Sequence, residues 1–303
     1  MSTGLPSVGV VVPTRDRPEL LARTIRSVLA QDYEGVVELV VVYDGTEPDR
    51  SLVAEGHRPV SVMQNQRAQG LSGTRNTGIL SLSTDLVAFC DDDDWWAPEK
   101  LRLQVDAMQD DDIMATCSIT VDFEGSRTSR TAGKALVERS DLLRSRMSMM
   151  HSSTFVFRRS ALLGELGLIA EDAPGSQNED WDILLRASAI RPIRHVDRPA
   201  VSVQWGRTSF YSRRWESRNE SLLWMLDRNP DITGSRTGYA RVLGQLAFGE
   251  ASLGHRRAAW RRAWQATRVK PTEWRAPLAA LVAVVPASSE VVLGLLNRVG
   301  RGV

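Results

Sequence analysis

Four consecutive carboxylates, Asp91-Asp92-Asp93-Asp94, follow the apolar run Leu86-Val87-Ala88-Phe89-Cys90 and precede Trp95-Trp96-Ala97-Pro98. The run is short and has no helical period, so it reads as a buried strand. Carboxylates crowded at a strand end repel one another and persist where something cancels the charge. A divalent cation held by oxygen ligands does this well, and Mg²⁺ is typically bound by one or two carboxylates plus substrate phosphates. The first expectation is therefore a metal–diphosphate site. Taken alone, the tetrad is equally a solvated acidic turn that stops the strand and caps the next helix.

Three further features can do chemistry. Val12-Pro13-Thr14-Arg15-Asp16-Arg17-Pro18 is a strand end turning into a helix, and a helix N-terminus beside an arginine suits a phosphate or nucleotide. Ordinary helix capping accounts for it as well. Val42-Tyr43-Asp44-Gly45-Thr46 offers a carboxylate that can accept a hydrogen bond from a base N–H, with Gly45 allowing close backbone approach; Asp-Gly is also a common turn. Asn178-Glu179-Asp180-Trp181-Asp182 opens a helix read as amphipathic. Acids there favour the helix dipole, or aim a general base across a cleft. Trp181 can stack on a sugar face or pack in the core.

The elements that would position these residues alternate. Strands are expected at Val8 to Val12, Val36 to Val42, Pro59 to Met63 and Asp85 to Cys90. Helices are expected at Arg17 to Gln31, Leu71 to Leu82 and Glu99 to Met108. Such alternation predicts an α/β fold with a mostly parallel sheet covered on both faces, and ligands outside the carboxyl ends of its strands. The middle is mixed: strands at Ile113 to Phe123, Ser153 to Phe157 and Ala200 to Val203, a helix at Glu179 to Ala189, and a loop-rich stretch at Gly164 to Gln177. From Ser212 the pattern is almost wholly helical. The expected division is a nucleotide-binding and catalytic domain over 1–211 and a C-terminal helical segment over 212–303.

The order of the pieces is specific where each piece alone is not. The chain resembles the family 2 glycosyltransferases, inverting enzymes of the GT-A fold (a Rossmann-like, mostly parallel mixed sheet flanked by helices). The resemblance rests on Val10 to Leu21, Ser27-Val28-Leu29-Ala30-Gln31, Val41 to Thr46, Gly73-Thr74-Arg75-Asn76-Thr77-Gly78, Phe89 to Trp96 with Pro98-Glu99-Lys100-Leu101, and Glu179-Asp180-Trp181. It covers residues 8 to 205, about two thirds of the chain.

The resemblance implies a role for each matching position. Asp44 corresponds to the aspartate that contacts the nucleotide base, and Pro13, Thr14 and Asp16 to the loop lining the nucleoside pocket. Arg75 corresponds to an arginine near the nucleotide. Asp91 and Asp93 correspond to the outer positions of the Asp-x-Asp motif and are the implied metal ligands, Asp93 the best of them; Asp91 and Asp92 also join the nucleotide-binding set. Asp180 corresponds to the catalytic base, with Glu179 before it. The family usually carries an acid at Tyr43, which leaves base contacts to Asp44. The implied cofactor is Mn²⁺ or Mg²⁺. The implied donor is a nucleoside diphosphate sugar, by family default a UDP-sugar, and the acceptor a glycan or lipid-linked hydroxyl. Neutralising the diphosphate as its bond to the sugar breaks, with a base removing the acceptor proton, is consistent physics for such a site.

Of the histidines, His151 is a candidate facing the acceptor, with a structural hydrogen bond as the stronger account. His195, in a short strand, is not taken as a ligand. Arg207, in Trp205-Gly206-Arg207-Thr208-Ser209, is a candidate loop residue near phosphate. Between His255 and Arg275, seven cations oppose Glu273 alone, and Trp260 and Trp264 lie one helical turn apart. Trp260 is expected to pack within a helical bundle, and the apolar stretch Ala276 to Leu296 to touch an anionic membrane surface peripherally.

Bulk properties bound the alternatives. The chain has 303 residues, 42% apolar and 25% charged, with net charge +1, so nothing global favours nucleic acid. Cys90 and Cys117 are its only cysteines. A buried thiol at Cys90 and the lack of a secretory pattern fit a cytoplasmic protein, with peripheral contact at the inner membrane face as the added expectation. No apolar run reaches the roughly 18 residues of a membrane span. The rival readings are a nucleotidyltransferase, which would need a glycine-rich loop where Pro13 to Pro18 has no glycine, a prenyl-diphosphate enzyme, whose acids lie on helices, and a non-catalytic sugar-nucleotide scaffold.

Overall fold

The structure, a computed structural model, describes residues 4–123, 125–205, 215–284 and Val292. In chain order its elements are β1 (Val8–Thr14), α1 (Pro18–Leu29), β2 (Val37–Tyr43), β3 (Val60–Gln64), α2 (Leu71–Ser81), β4 (Leu86–Phe89), β5 (Trp95–Trp96) and α3 (Lys100–Ala107). They continue with β6 (Met114–Phe123), β7 (Ser126–Arg130), β8 (Leu136–Val137), α4 (Arg139–Arg144), β9 (Val156–Arg158), α5 (Arg159–Leu163), α6 (Glu179–Ile190) and β10 (Ile193–Trp205). The remainder is helical: α7 (Trp215–Arg228), α8 (Arg236–Ser252), α9 (Arg256–Val269) and α10 (Arg275–Val284).

Two compact units result. The first comprises Met1–Arg139, Met147–Asp172 and Glu179–Ser209. The second comprises Ser140–Arg146, Ala173–Asn178 and Phe210–Val303.

In the first unit one mixed ten-stranded sheet runs in the order β3-β2-β1-β4-β9-β6-β10-β5, with β7 on β6 and β8 on β10. The Val-rich strand β1 is buried on both faces, as a central parallel strand requires. It pairs in parallel with β2 and β4. Register does the positioning. Thr14 lies opposite Tyr43, and the Asp44 N–H donates to the Thr14 carbonyl at 3.0 Å. Val11 lies opposite Phe89, and the Cys90 N–H donates to the Val11 carbonyl at 3.1 Å. The polar ends of β1, β2 and β4 therefore finish at one edge of the sheet.

Helix α1 begins with Pro18 and buries Leu21, Thr24, Ile25 and Val28, a 3–4 spacing that sets one face on the sheet. Leu21, Ile25 and Val28 join Val8, Val10, Val12, Val37, Leu39, Val41 and Ala88 in one core. Helix α2 packs closely enough on β1 that a Cβ at Gly78 would fall 2.4 Å from Val11 Cγ1.

Several local expectations are corrected. Ser153 to Phe157 is not one strand: a 3₁₀ turn at Ser152–Thr154 precedes β9. The short strand expected at Ala200 to Val203 is part of the 13-residue β10, which pairs with β6 through irregularities around Pro199. Strand β7, Ser-Arg-Thr-Ser-Arg, has no apolar alternation, because it pairs only with β6 and is mostly exposed. Helix α6 is buried nearly all round rather than amphipathic, with Asp182 bound to Arg186 at 2.8 Å.

The second unit is held by small residues. Leu243, Ala247, Phe248 and Ala251 of α8 pack with Ala259, Ala263 and Ala266 of α9 and with Ala276, Ala279, Val282 and Ala283 of α10. The expectation for the tryptophan here is reversed: Trp260 is 51% exposed, while much of the described part of the apolar stretch is packed. No described helix is long and apolar enough to cross a membrane.

Candidate active site

The tetrad sits beyond β4, and its carboxylates meet different sets of partners, with Arg17 shared between Asp92 and Asp93. Asp91 lies between Arg75 Nη2 at 2.6 Å and Ser152 Oγ at 2.9 Å. Asp92 accepts from Thr14 Oγ1 at 2.8 Å and Arg17 Nη1 at 3.3 Å. Asp93 accepts from Arg17 Nη1 at 2.7 Å. Asp94 accepts from Ser153 Oγ at 2.5 Å and lies 3.3 Å from His151 Nδ1. The turn is fastened from both sides: Thr24 Oγ1 of α1 donates to the Asp94 carbonyl at 2.7 Å, and the Asp91 N–H donates to Ser153 Oγ at 3.0 Å.

Arg75, on α2, connects the tetrad to α6. It is 1% exposed, and its other guanidinium nitrogen donates to Glu179 Oε1 at 2.9 Å. The resemblance places this residue near the nucleotide; the geometry makes it the buried link between Asp91 and Glu179. Asp180 is 5% exposed and accepts from the Trp181 N–H at 2.8 Å. Its charge is felt by both His151 and Arg75, so the acid from the distant α6 is brought to the tetrad. Trp181 is buried at 3% exposure, with no open ring face.

The charges are unequally compensated. Burial would lower the His151 imidazole's pKa, but Asp94, Asp91 and Asp180 outweigh it and push it up to about 9. It is therefore an imidazolium at neutral pH. Burial would raise the Asp91 carboxyl's pKa, but Arg75 and His151 overcome that and lower it. Asp93 goes the other way. Burial, followed by repulsion from Asp94, Asp91 and Asp92, pushes it up to about 7 despite Arg17. Asp93 is thus a carboxylate short of positive charge, and its side chain remains 35% exposed.

The oxygen set around Asp93 fits a hard divalent cation: an open carboxylate destabilised by three others. A second grouping exists. Asp91, Asp94 and His151 bring potential ligand atoms within 4.8 Å of one another. There His151 itself supplies positive charge, and Asp91 already holds Arg75 and Ser152, so this grouping reads as a histidinium-bridged carboxylate pair.

The nucleoside-side candidates gather at the ends of β1 and β2. Asp44 accepts from Asn65 Nδ2 at 2.9 Å and from the Gly70 N–H at 3.1 Å. Pro13 and Thr14 are buried at the β1 end, and Asp16 is exposed in a left-handed turn with φ of 54°. Arg207 lies outside the described residues.

Sequence reasoning missed Arg17, Thr24, Ser152 and Ser153 as partners of the tetrad. Arg17 was indistinguishable from Arg15 by type. Ser153 was hidden in a segment read as strand, and Ser152 lay just before it. Behind them, Trp96 Nε1 donates to the Ser153 carbonyl at 3.0 Å and Gln104 Nε2 to the Thr154 carbonyl at 2.8 Å. Lys100, whose Nζ lies 3.7 Å from the Trp96 ring centre, is fully buried.

Residues 9–164, just over half of the chain, match the family described as Glycosyl transferase family 2. The chain belongs to that family. It is 31% identical over 107 residues to an Escherichia coli UDP-Glc:alpha-D-GlcNAc-diphosphoundecaprenol beta-1,3-glucosyltransferase, WfgD, matching 35% of this chain and 42% of that protein. It is 27% identical over 168 residues to a Campylobacter jejuni GalNAc(5)-diNAcBac-PP-undecaprenol beta-1,3-glucosyltransferase, matching 52% of this chain and 53% of that protein. An uncharacterised Bacillus subtilis glycosyltransferase, YwdF, is 25% identical over 65% of this chain and 72% of its own length.

Among solved structures, Staphylococcus aureus TarS 1-349 in complex with UDP-GlcNAc superposes with a TM-score of 0.58 at 18% identity, covering 97% of this chain and 92% of that one. The mannosyltransferase PcManGT from Pyrobaculum calidifontis, in complex with GDP-Man and Mn²⁺, gives 0.55 at 17% identity, covering 95% and 87%. These likenesses establish the shared fold. The family 2 chain has the GT-A architecture expected from its motif order, with the polar motifs that end β1, β2 and β4 at one edge of the sheet.

Proposed function

We propose that the protein is a metal-dependent, inverting glycosyltransferase that moves a sugar from a nucleoside diphosphate sugar to an acceptor hydroxyl. The observation that carries this reading is the open, charge-starved Asp93 in the same unit as the buried Asp180. One suits a cation and diphosphate; the other suits the base.

Asp93 would hold Mn²⁺ or Mg²⁺, with Asp92 and Arg17 beside it. Bound there, the cation would neutralise charge on the leaving diphosphate. Asp44, with Pro13, Thr14 and Asp16, would hold the nucleoside, and Asp91 and Arg75 fix the tetrad in place. Asp180 accepts the proton of the acceptor hydroxyl as its oxygen attacks the anomeric carbon. One carbon–oxygen bond forms while the opposite one, to the diphosphate, breaks, so the configuration inverts. No covalent enzyme intermediate is needed, which agrees with buried Cys90 and Cys117.

The supported donor class is a UDP-sugar, because WfgD is named for UDP-Glc and the TarS complex holds UDP-GlcNAc. The WfgD and Campylobacter proteins are named for undecaprenol diphosphate-linked acceptors. A lipid-linked acceptor in cell-surface glycan, glycolipid or polysaccharide synthesis is therefore the reading for this chain, with peripheral contact at the cytoplasmic membrane face through its C-terminal segment. A thermal-shift screen of UDP, GDP and dTDP with and without Mn²⁺ tests the donor side, since a ligand that binds only the folded state raises apparent stability. A UDP shift that needs Mn²⁺ is expected. No shift with any nucleotide would overturn the reading.

A further inference from the structure

Helix α9 has two sharply different faces. Ala259, Ala263 and Ala266 are buried in the core of the second unit. Opposite them, Arg257, Trp260, Arg261, Trp264 and Arg268 are all exposed, at spacings that place them on one side of an α-helix. Trp260 is 51% and Trp264 63% exposed. The helix sequence contains no acid. Two large indoles more than half exposed are costly, and their position between arginines is not a requirement of the bundle, to whose core α9 contributes Ala259, Ala263 and Ala266, with Val269 packed against it.

We infer that this face of α9 docks on an anionic lipid bilayer, with Trp260 and Trp264 at the headgroup boundary and Arg257, Arg261 and Arg268 on lipid phosphates. Indoles favour the boundary because one end is apolar and the N–H needs a polar partner. Arginines beside them gain from the negative surface potential. The same row of arginines disfavours pairing with a second copy of itself. The chain's net charge of +1 gives no general attraction to nucleic acid. The inference deepens the lipid-linked acceptor reading and rests on it for the choice of a bilayer over other anionic surfaces. It assigns the contact to α9 rather than to the apolar stretch that follows.

The test is co-sedimentation of the full chain with phosphatidylglycerol-rich vesicles and with pure phosphatidylcholine vesicles, at low and high salt and without any sugar substrate. Wild type should bind the anionic vesicles, and salt should weaken that binding. Arg257→Gln/Arg261→Gln/Arg268→Gln should weaken it on the order of 100-fold, from the usual contribution of a basic residue near an anionic surface. Trp260→Ala/Trp264→Ala should weaken it about tenfold or more. Both variants change exposed side chains, and unchanged circular dichroism melts should show them folded.

Wild-type binding to both vesicle types alike, or binding unchanged in both variants, would overturn the inference. So would a wild-type dimer that the tryptophan variant converts to monomer, or tight binding to a single-stranded oligonucleotide lost in the arginine variant. The Mn²⁺-dependent UDP thermal shift reads the donor site alone. Its loss in wild type would strike the functional reading, whereas loss of vesicle binding with that shift intact would strike only the docking face.

Discussion

Replacing His151 by Gln should reveal how strongly the acidic turn depends on one protonated imidazole. The group lies 3.3 Å from Asp94 Oδ2, and its pKa rises from 6.5 to about 9 on folding. That rise corresponds to about 3 kcal/mol of preferential binding of the proton by the folded state. The sign follows from linkage. A base whose pKa is raised on folding contributes stability that is fully present below 6.5 and lost as pH rises through about 9. Urea unfolding of wild type and His151→Gln across that window, in metal-free buffer, measures the difference directly. Groups that do not interact with His151 cancel in it. The wild-type advantage should be largest below pH 6.5 and shrink by about 3 kcal/mol by the alkaline end. A difference that does not change with pH would refute the imidazolium, and with it the argument that His151 already supplies positive charge at the Asp91–Asp94 pair.

Three other perturbations have expected outcomes. Lys100 is fully buried, its Nζ has no hydrogen-bond partner among the described residues, and burial lowers its pKa to about 8. Lys100→Met should therefore raise stability at neutral pH by about 1–3 kcal/mol, read as a higher urea midpoint, with the gain fading as pH rises above about 8. Asp93→Asn should abolish the Mn²⁺-dependent part of UDP binding in calorimetry; an unchanged metal enhancement would remove Asp93 from the cation site. Gly73→Ala would put a Cβ 2.0 Å from the Ala68 carbonyl oxygen, within the loop whose Asn65 and Gly70 donate to Asp44. It should cost about 1–3 kcal/mol in unfolding measurements and weaken UDP binding in titration.

The parts of the fold that could be read in the sequence are those where one physical signal dominates. β1, β2 and β4 are β-branched or apolar runs ending in polar residues, because they are central parallel strands buried on both faces. α1 shows its face because one side packs into the sheet core while residues of the other side stay exposed. β7 gave no signal, since an exposed strand with polar side chains on both sides has no alternation to show. The turn at Ser152–Thr154 was misread because its carbonyls are satisfied by Trp96 and Gln104, partners 50 or more residues away. In the site, the tetrad and the Glu179-Asp180 pair were visible as acids out of place. Their wiring was not. That Arg75 joins Asp91 to Glu179, and that Arg17 rather than Arg15 grips Asp92 and Asp93, depends on strand register and helix phase. The two tryptophans of α9 were likewise visible as a pair, but which side of the helix faced the alanine core was settled only by packing.

The central claim is that Asp180 is the base of a glycosyl transfer whose donor is held at the tetrad. Turnover and donor affinity of Asp180→Asn, measured side by side with Glu179→Gln, test it most directly. Asn preserves the shape of Asp180 but cannot take the acceptor proton, so turnover should fall by about 10²–10⁴-fold with donor affinity nearly unchanged. Glu179→Gln should lose less turnover, because Glu179 acts through its ion pair with Arg75. Near-normal turnover in Asp180→Asn, or a deeper defect in Glu179→Gln, would contradict the account.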